Sequence, residues 1–179
     1  MEKFKNPLKI GLYWGIGYIL IMMLLYLVHH EWMHSWWLGT LIFVAGIGVM
    51  IYSGLRQRLD MGGYISWKDA MTAAWASSIV YTLISVLFSI VMYNWVDPGL
   101  QEEVRAAQIR AMESMRGMMG EEAFEEAMTA MEENNTFSPQ NMLKGLPMSL
   151  IFNFILAALT ALVVMRKDTG EGGSYKDKL

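Results

Sequence analysis

His30-Glu31-Trp32-Met33-His34 is the sharpest chemical pattern in the chain, a match to H-E-x-x-H. On a continuous helix the two histidines stand one turn apart, where both can reach a zinc ion while the glutamate acts as general base on the metal-bound water. Here the pattern falls in a seven-residue connection, His29 to Ser35, between two apolar segments, where continuous helical geometry is least assured. A third ligand is also missing from the neighbourhood. The only other histidine is His29, and a carboxylate would have to come from a distant acidic segment. The plainer reading is a set of polar interfacial residues that ends the first helix. A zinc-dependent membrane hydrolase using His30, Glu31 and His34 is kept as an alternative, and the expectation is no enzyme and no cofactor.

Methionine offers the second candidate chemistry. Of seventeen in the chain, Met112, Met115 and Met118, then Met128 and Met131, repeat at M-x-x-M spacing, and soft thioethers so placed can bind Cu(I). The same spacing is what an adaptable apolar helix face produces, because methionine fills irregular gaps, and that reading is preferred.

Weakly polar stripes are the third. Ala74, Ser78, Thr82, Ser85 and Ser89 recur along one apolar segment, and Ser149, Asn153, Ala157 and Thr160 along another. Small residues let helices approach closely and hydroxyls can bond across the contact, so these are packing faces first. Asn153 is the most polar side chain in the interior of any apolar segment. It either ties two helices together or lines a site, and the tie is preferred. Gly11 and Gly15 give the first helix a comparable contact face.

The elements that must position these residues are membrane spans. Four stretches without a charged residue, Ile10 to Val28, Trp36 to Leu55, Ala70 to Val96 and Gly145 to Met165, are each long enough to cross about 30 Å of hydrocarbon as a helix. The spacing predicts spans at about 8–28, 36–55, 68–96 and 145–166 in one domain of 179 residues. A cleaved signal peptide is a poor account of the first, because its apolar run is too long and no small-residue cleavage site follows. Ten of the fourteen basic residues, among them Lys9, Arg56, Arg58, Lys68 and Arg166, gather on one side of this layout, and eleven of the seventeen acidic residues on the other. The basic side is therefore expected to be cytoplasmic, with both termini on it. The absence of cysteine excludes a disulfide framework and a thiolate metal site. No basic patch suggests nucleic acid.

Local signals mark the joints. Gly62-Gly63 predicts a sharp turn, Ser66 with Asp69 a helix start, Asp97-Pro98 a helix stop, and Ser138-Pro139 the start of the last helix, with Pro147 a point where it could bend. Between them, residues 97–144 form an acidic extracytoplasmic segment read as two amphipathic helices, broken near Gly117 to Gly120. Their polar faces carry glutamates, which favours packing on protein over binding anionic lipid. The glycine-rich, charged tail at 168–179 is expected to be mobile.

Gly62-Gly63-Tyr64-Ile65-Ser66-Trp67 opening a small-residue helix, Tyr93-Asn94-Trp95-Val96-Asp97-Pro98 closing it, Phe137-Ser138-Pro139 and the terminal Arg166-Lys167 together resemble the domain of unknown function 4199 family. The resemblance covers nearly the whole chain. It implies a small four-span inner-membrane protein of Bacteroidota and carries no catalytic residues, and it points to a polyprenyl-phosphate glycosyltransferase as a candidate partner. The expected class is an all-α integral membrane four-helix bundle with a helical segment between its third and fourth spans. The preferred function is an accessory or scaffold subunit that binds other membrane or envelope proteins or its own copies within the lipid bilayer. The alternative to the hydrolase already named is a small transporter or channel, with Asn153, Ser78, Thr82, Ser85 and Ser89 lining a path.

Overall fold

The computed structural model describes residues 4–29, 32–33, 35–133 and 136–166. Among them are six α-helices: α1 Lys5–His29, α2 Trp36–Asp60, α3 Trp67–Val91, α4 Leu100–Met119, α5 Glu121–Glu133 and α6 Pro139–Val164. Helices α1, α2, α3 with its extension to Val96, and α6 are long and apolar enough to cross a membrane. The protein is a multi-pass membrane protein with an all-α bundle. Its large apolar side chains face outward, with Leu20, Leu27, Leu87 and Val163 all exposed, as lipid-facing surfaces of a bundle should be.

The core is made of small residues. Helix α3 lies at the centre, packed on α1, α2 and α6, and its buried positions include Ala70, Ala73, Ala74, Ser77, Ser78 and Thr82. Without a hydrophobic driving force between helices in lipid, close backbone approach supplies the attraction. Gly11 and Gly15 of α1 are buried: a Cβ at Gly11 would strike the backbone of Ser77, and one at Gly15 would lie 2.6 Å from Cδ1 of Ile84. On α2, Gly54 meets Val164, and buried Ser53 donates to the carbonyl of Ala73 at 3.0 Å.

Helix ends follow the local chemistry. Gly62 and Gly63 adopt φ of +86° and +97°, a region that a Cβ disfavours, and they reverse the chain between α2 and α3. Ser66 then caps α3, accepting from the Asp69 amide at 3.1 Å and donating to its carboxylate at 3.0 Å. At the far end α3 loosens into a π-helical turn, Met92–Val96. It stops at Asp97, whose backbone leaves the helical region (φ −145°, ψ 88°) before Pro98. Helix α6 starts at Pro139, with Ser138 accepting from the Asn141 amide at 3.3 Å. The span is therefore longer than its uncharged stretch: its first turns carry Gln140, Asn141 and Lys144 above the apolar zone. The helix continues through Pro147.

Antiparallel spans give the bundle two unlike ends. The basic end is stitched across helices: Asn6 to Asp60 at 2.6 Å, Arg58 to the Val164 carbonyl at 3.1 Å, and a paired bridge between Ile65 and Arg166. The other end carries α4 and α5 and is called the capped end.

Candidate functional site

At the capped end, α4 is rooted firmly and then leaves the bundle. Leu100 is fully buried, Gln101 donates to the Tyr93 carbonyl at 2.6 Å, and Tyr26 of α1 donates to Asp97 at 3.1 Å. Asn94 of the π turn donates to the Phe137 carbonyl at 3.0 Å, which fixes the chain entering α6 beside the chain leaving α3. Beyond these roots α4 faces the ends of α1 and α2 across an open cleft of about 1060 Å³, with Met22, Trp36 and Gly39 on the bundle side and Val104, Gln108 and Ala111 on the α4 side.

The chain breaks at Gly120, whose φ of +84° again needs a glycine, and α5 turns back with α4 as its main neighbour. A clasp closes this hairpin. Arg116 binds the Glu121 carboxylate through two nitrogens, the Nε contact being 3.0 Å, and its guanidinium also lies 4.9 Å from the ring centre of Phe124. The hydrogen bond from Arg116 holds the Glu121 carboxyl below the ordinary glutamate range, because a charged donor favours the ionised form.

Methionines crowd the hairpin. Met118 is 79% exposed, Met115 and Met119 are exposed with it, and Met112, Met128 and Met131 are half-buried. Exposed glutamates, Glu113, Glu121, Glu122, Glu125 and Glu126, flank this ridge. The arrangement presents soft, apolar, deformable side chains inside a mainly acidic rim, in which Arg116 offsets Glu121 and Arg110 is also exposed.

The intramembrane polar residues are used between and within helices. Asn153 donates to the Thr82 hydroxyl at 3.0 Å, joining α6 to α3. Ser77, Ser78 and Ser85 return their hydroxyl protons to carbonyls of their own helix, at 2.8, 2.8 and 3.0 Å, while Ser89 is half-buried. Asn153 and Ser78 also edge a cavity of about 220 Å³ whose other walls are mainly apolar. His30, Glu31 and His34 lie outside the described residues. Among the described residues no three His, Asp or Glu side chains converge as metal ligands.

Sequence reasoning missed Ser53, Gly54 and Gln57, which form the buried face of α2 at the basic end. The signal was there in the small pair Ser53-Gly54. It was masked by the neighbouring basic residues, which identify this stretch as a membrane boundary. Sequence reasoning also took Lys9 and Arg56 only as markers of orientation, although they share one cleft with Trp14 and Tyr52.

No curated protein and no solved structure matches the chain. The family model described as "Protein of unknown function (DUF4199)" matches residues 9–166, from the second turn of α1 to the residue that pairs with Ile65. A match over that share of the chain settles membership: the protein belongs to the DUF4199 family of proteins of unknown function.

Proposed function

We propose that the protein is a non-catalytic accessory or scaffold subunit of a membrane assembly, and that the α4–α5 hairpin is the arm by which it holds another protein. The observation that carries this reading is the exposed methionine ridge, Met115 and Met118, on a hairpin fixed to the bundle at both ends by Gln101, Asn94 and Tyr26. An exposed apolar row rimmed by charge marks an interaction site. The matching surface is an apolar groove bordered by lysine or arginine, since the rim here is glutamate. Self-association through the same face would set glutamates against glutamates, so a different protein fits better than a second copy. A polyprenyl-phosphate glycosyltransferase is one candidate. In this reading the membrane is the bacterial inner membrane, with the basic end cytoplasmic and the arm outside, in accord with the charge asymmetry.

The test is purification from native membranes in a mild detergent. A defined protein should accompany the wild-type chain and be lost from Met118→Glu, while the bundle keeps its thermal stability. Recovery of only monodisperse, partnerless protein across several detergents would count against the proposal.

A further inference from the structure

At the basic end, α1 and α2 diverge around a cleft of about 430 Å³. Its mouth is built alike on both walls: Lys9 with Tyr13 one turn deeper on α1, and Arg56 with Tyr52 one turn deeper on α2. Lys9 is the last charge before the apolar run of α1 and Arg56 the first after that of α2, so both cations sit at the border of the hydrocarbon. Tyr13 and Tyr52 are 68% and 58% exposed on the lipid-facing surface, which places the cleft within reach of the surrounding leaflet. Asp60 approaches from the solvent side, 3.9 Å from Arg56 and bonded to Asn6. It leaves the mouth with two positive charges to one negative and half of the Arg56 side chain exposed.

The floor of the cleft is Trp14 and Val49, and both residues also line the mid-bundle cavity. The two spaces are therefore neighbours along α2, whose Gly46 has open space where a Cβ would project. At their junction the indole N–H of Trp14 is buried and meets no acceptor among the described residues, although a buried indole N–H usually finds one. It lies five residues below Lys9, about 7.5 Å deeper along the helix. A ligand that suits all three features has an anionic head, a hydrogen-bond acceptor below it and an apolar tail.

We propose that this cleft is a binding site for an anionic diacyl phospholipid of the bilayer, with its phosphate between Lys9 and Arg56, an ester carbonyl at the Trp14 N–H, and an acyl chain running past Val49 towards Gly46. The site is independent of the hairpin and of the partner reading. It would fasten the loosely packed α1–α2 seam and make the protein's stability respond to the charge of its leaflet.

Native mass spectrometry of the full chain released from mixed phosphatidylglycerol and phosphatidylethanolamine decides it. Wild type should retain phosphatidylglycerol over phosphatidylethanolamine by roughly thirtyfold, the order expected for two interfacial cations. Lys9→Gln/Arg56→Gln should erase the preference, whereas Lys68→Gln/Lys144→Gln, with the same loss of charge elsewhere, should keep it. Trp14→Phe should weaken retention of the diester lipid by about fivefold, one hydrogen bond's worth, and leave a diether analogue unaffected. Gly46→Leu, which fills the deeper space and improves helix propensity, should reduce retention of both lipids. Inorganic phosphate should displace none of the bound lipid. Absence of a headgroup preference in wild type, survival of the preference in Lys9→Gln/Arg56→Gln, undiminished retention in Gly46→Leu, or displacement by phosphate alone would each overturn the proposal. Should the double variant fail to fold, the wild-type preference and Gly46→Leu remain decisive.

Discussion

Asn153 and Gln57 are both carboxamides set among apolar helices, yet their surroundings predict opposite mutational signs. Asn153 spends an N–H on Thr82 at 3.0 Å, so Asn153→Leu removes an interhelical bond and leaves the Thr82 hydroxyl poorer by a donor. Thermal unfolding in detergent should register a loss of about 1 kcal/mol, the scale of such bonds between membrane helices. Gln57 is 2% exposed and its Oε1 has no donor among the described residues. A buried acceptor left unpaired costs about 1–3 kcal/mol, and replacing it by an apolar group of like shape removes that cost. Gln57→Met should therefore be neutral or stabilising in the same assay, and a clear destabilisation would show that Gln57 has a partner. The sequence made Asn153 conspicuous because it stands inside an uncharged run. Gln57 escaped notice because Arg56 and Arg58 flank it, and neighbours along the chain do not reveal which way a side chain faces.

The helices were legible where the cause of a boundary is local. Ser66 and Ser138 announce helix starts, Gly62-Gly63 a reversal and Pro98 a stop, since each acts through its own backbone or that of the next few residues. Ser138→Ala should cost about 1 kcal/mol through the lost cap, read as a lower melting temperature. Partners across helices are a different matter. The pair Gly11 and Gly15 suggested a contact face, but only the fold supplies Ser77 and Ile84 as what they touch. Gly11→Ala drives a methyl group into backbone that has no rotamer to yield, and a cost of about 1–3 kcal/mol is expected in the same unfolding assay. The α4–α5 clasp adds a pH dependence with a definite sign. Because the hydrogen bond from Arg116 depresses the folded-state value of Glu121, the clasp contributes fully above the unfolded glutamate value of about 4.3 and is lost as pH falls through the lower, folded one. Spin labels on α4 and α5 should keep a constant separation from neutral pH to mild acid and broaden below that window. Glu121→Gln should abolish the transition.

As a whole molecule the protein is an asymmetric body: a basic, cross-stitched end, a small-residue core, and an acidic methionine-rich arm at the far end. Charge segregation of this kind orients a bundle in its membrane. Absence of cysteine makes the orientation easy to read, because Met118→Cys and Leu59→Cys would each be the sole thiol. The first should react with a membrane-impermeant maleimide on intact cells and the second only after permeabilisation. Function was less legible than fold because a binding surface is defined by what it fits. Composition shows that methionine and glutamate crowd 100–133, but not that the chain leaves Met118 uncovered. Photocrosslinking in living cells from a benzophenone side chain at position 118, with lipid-facing position 87 as control, reports directly on what the α4–α5 arm touches. A discrete adduct with one other protein from position 118, absent from position 87, is the predicted result. Products confined to lipid or to the chain itself would contradict the assignment of α4–α5 as a partner-binding arm.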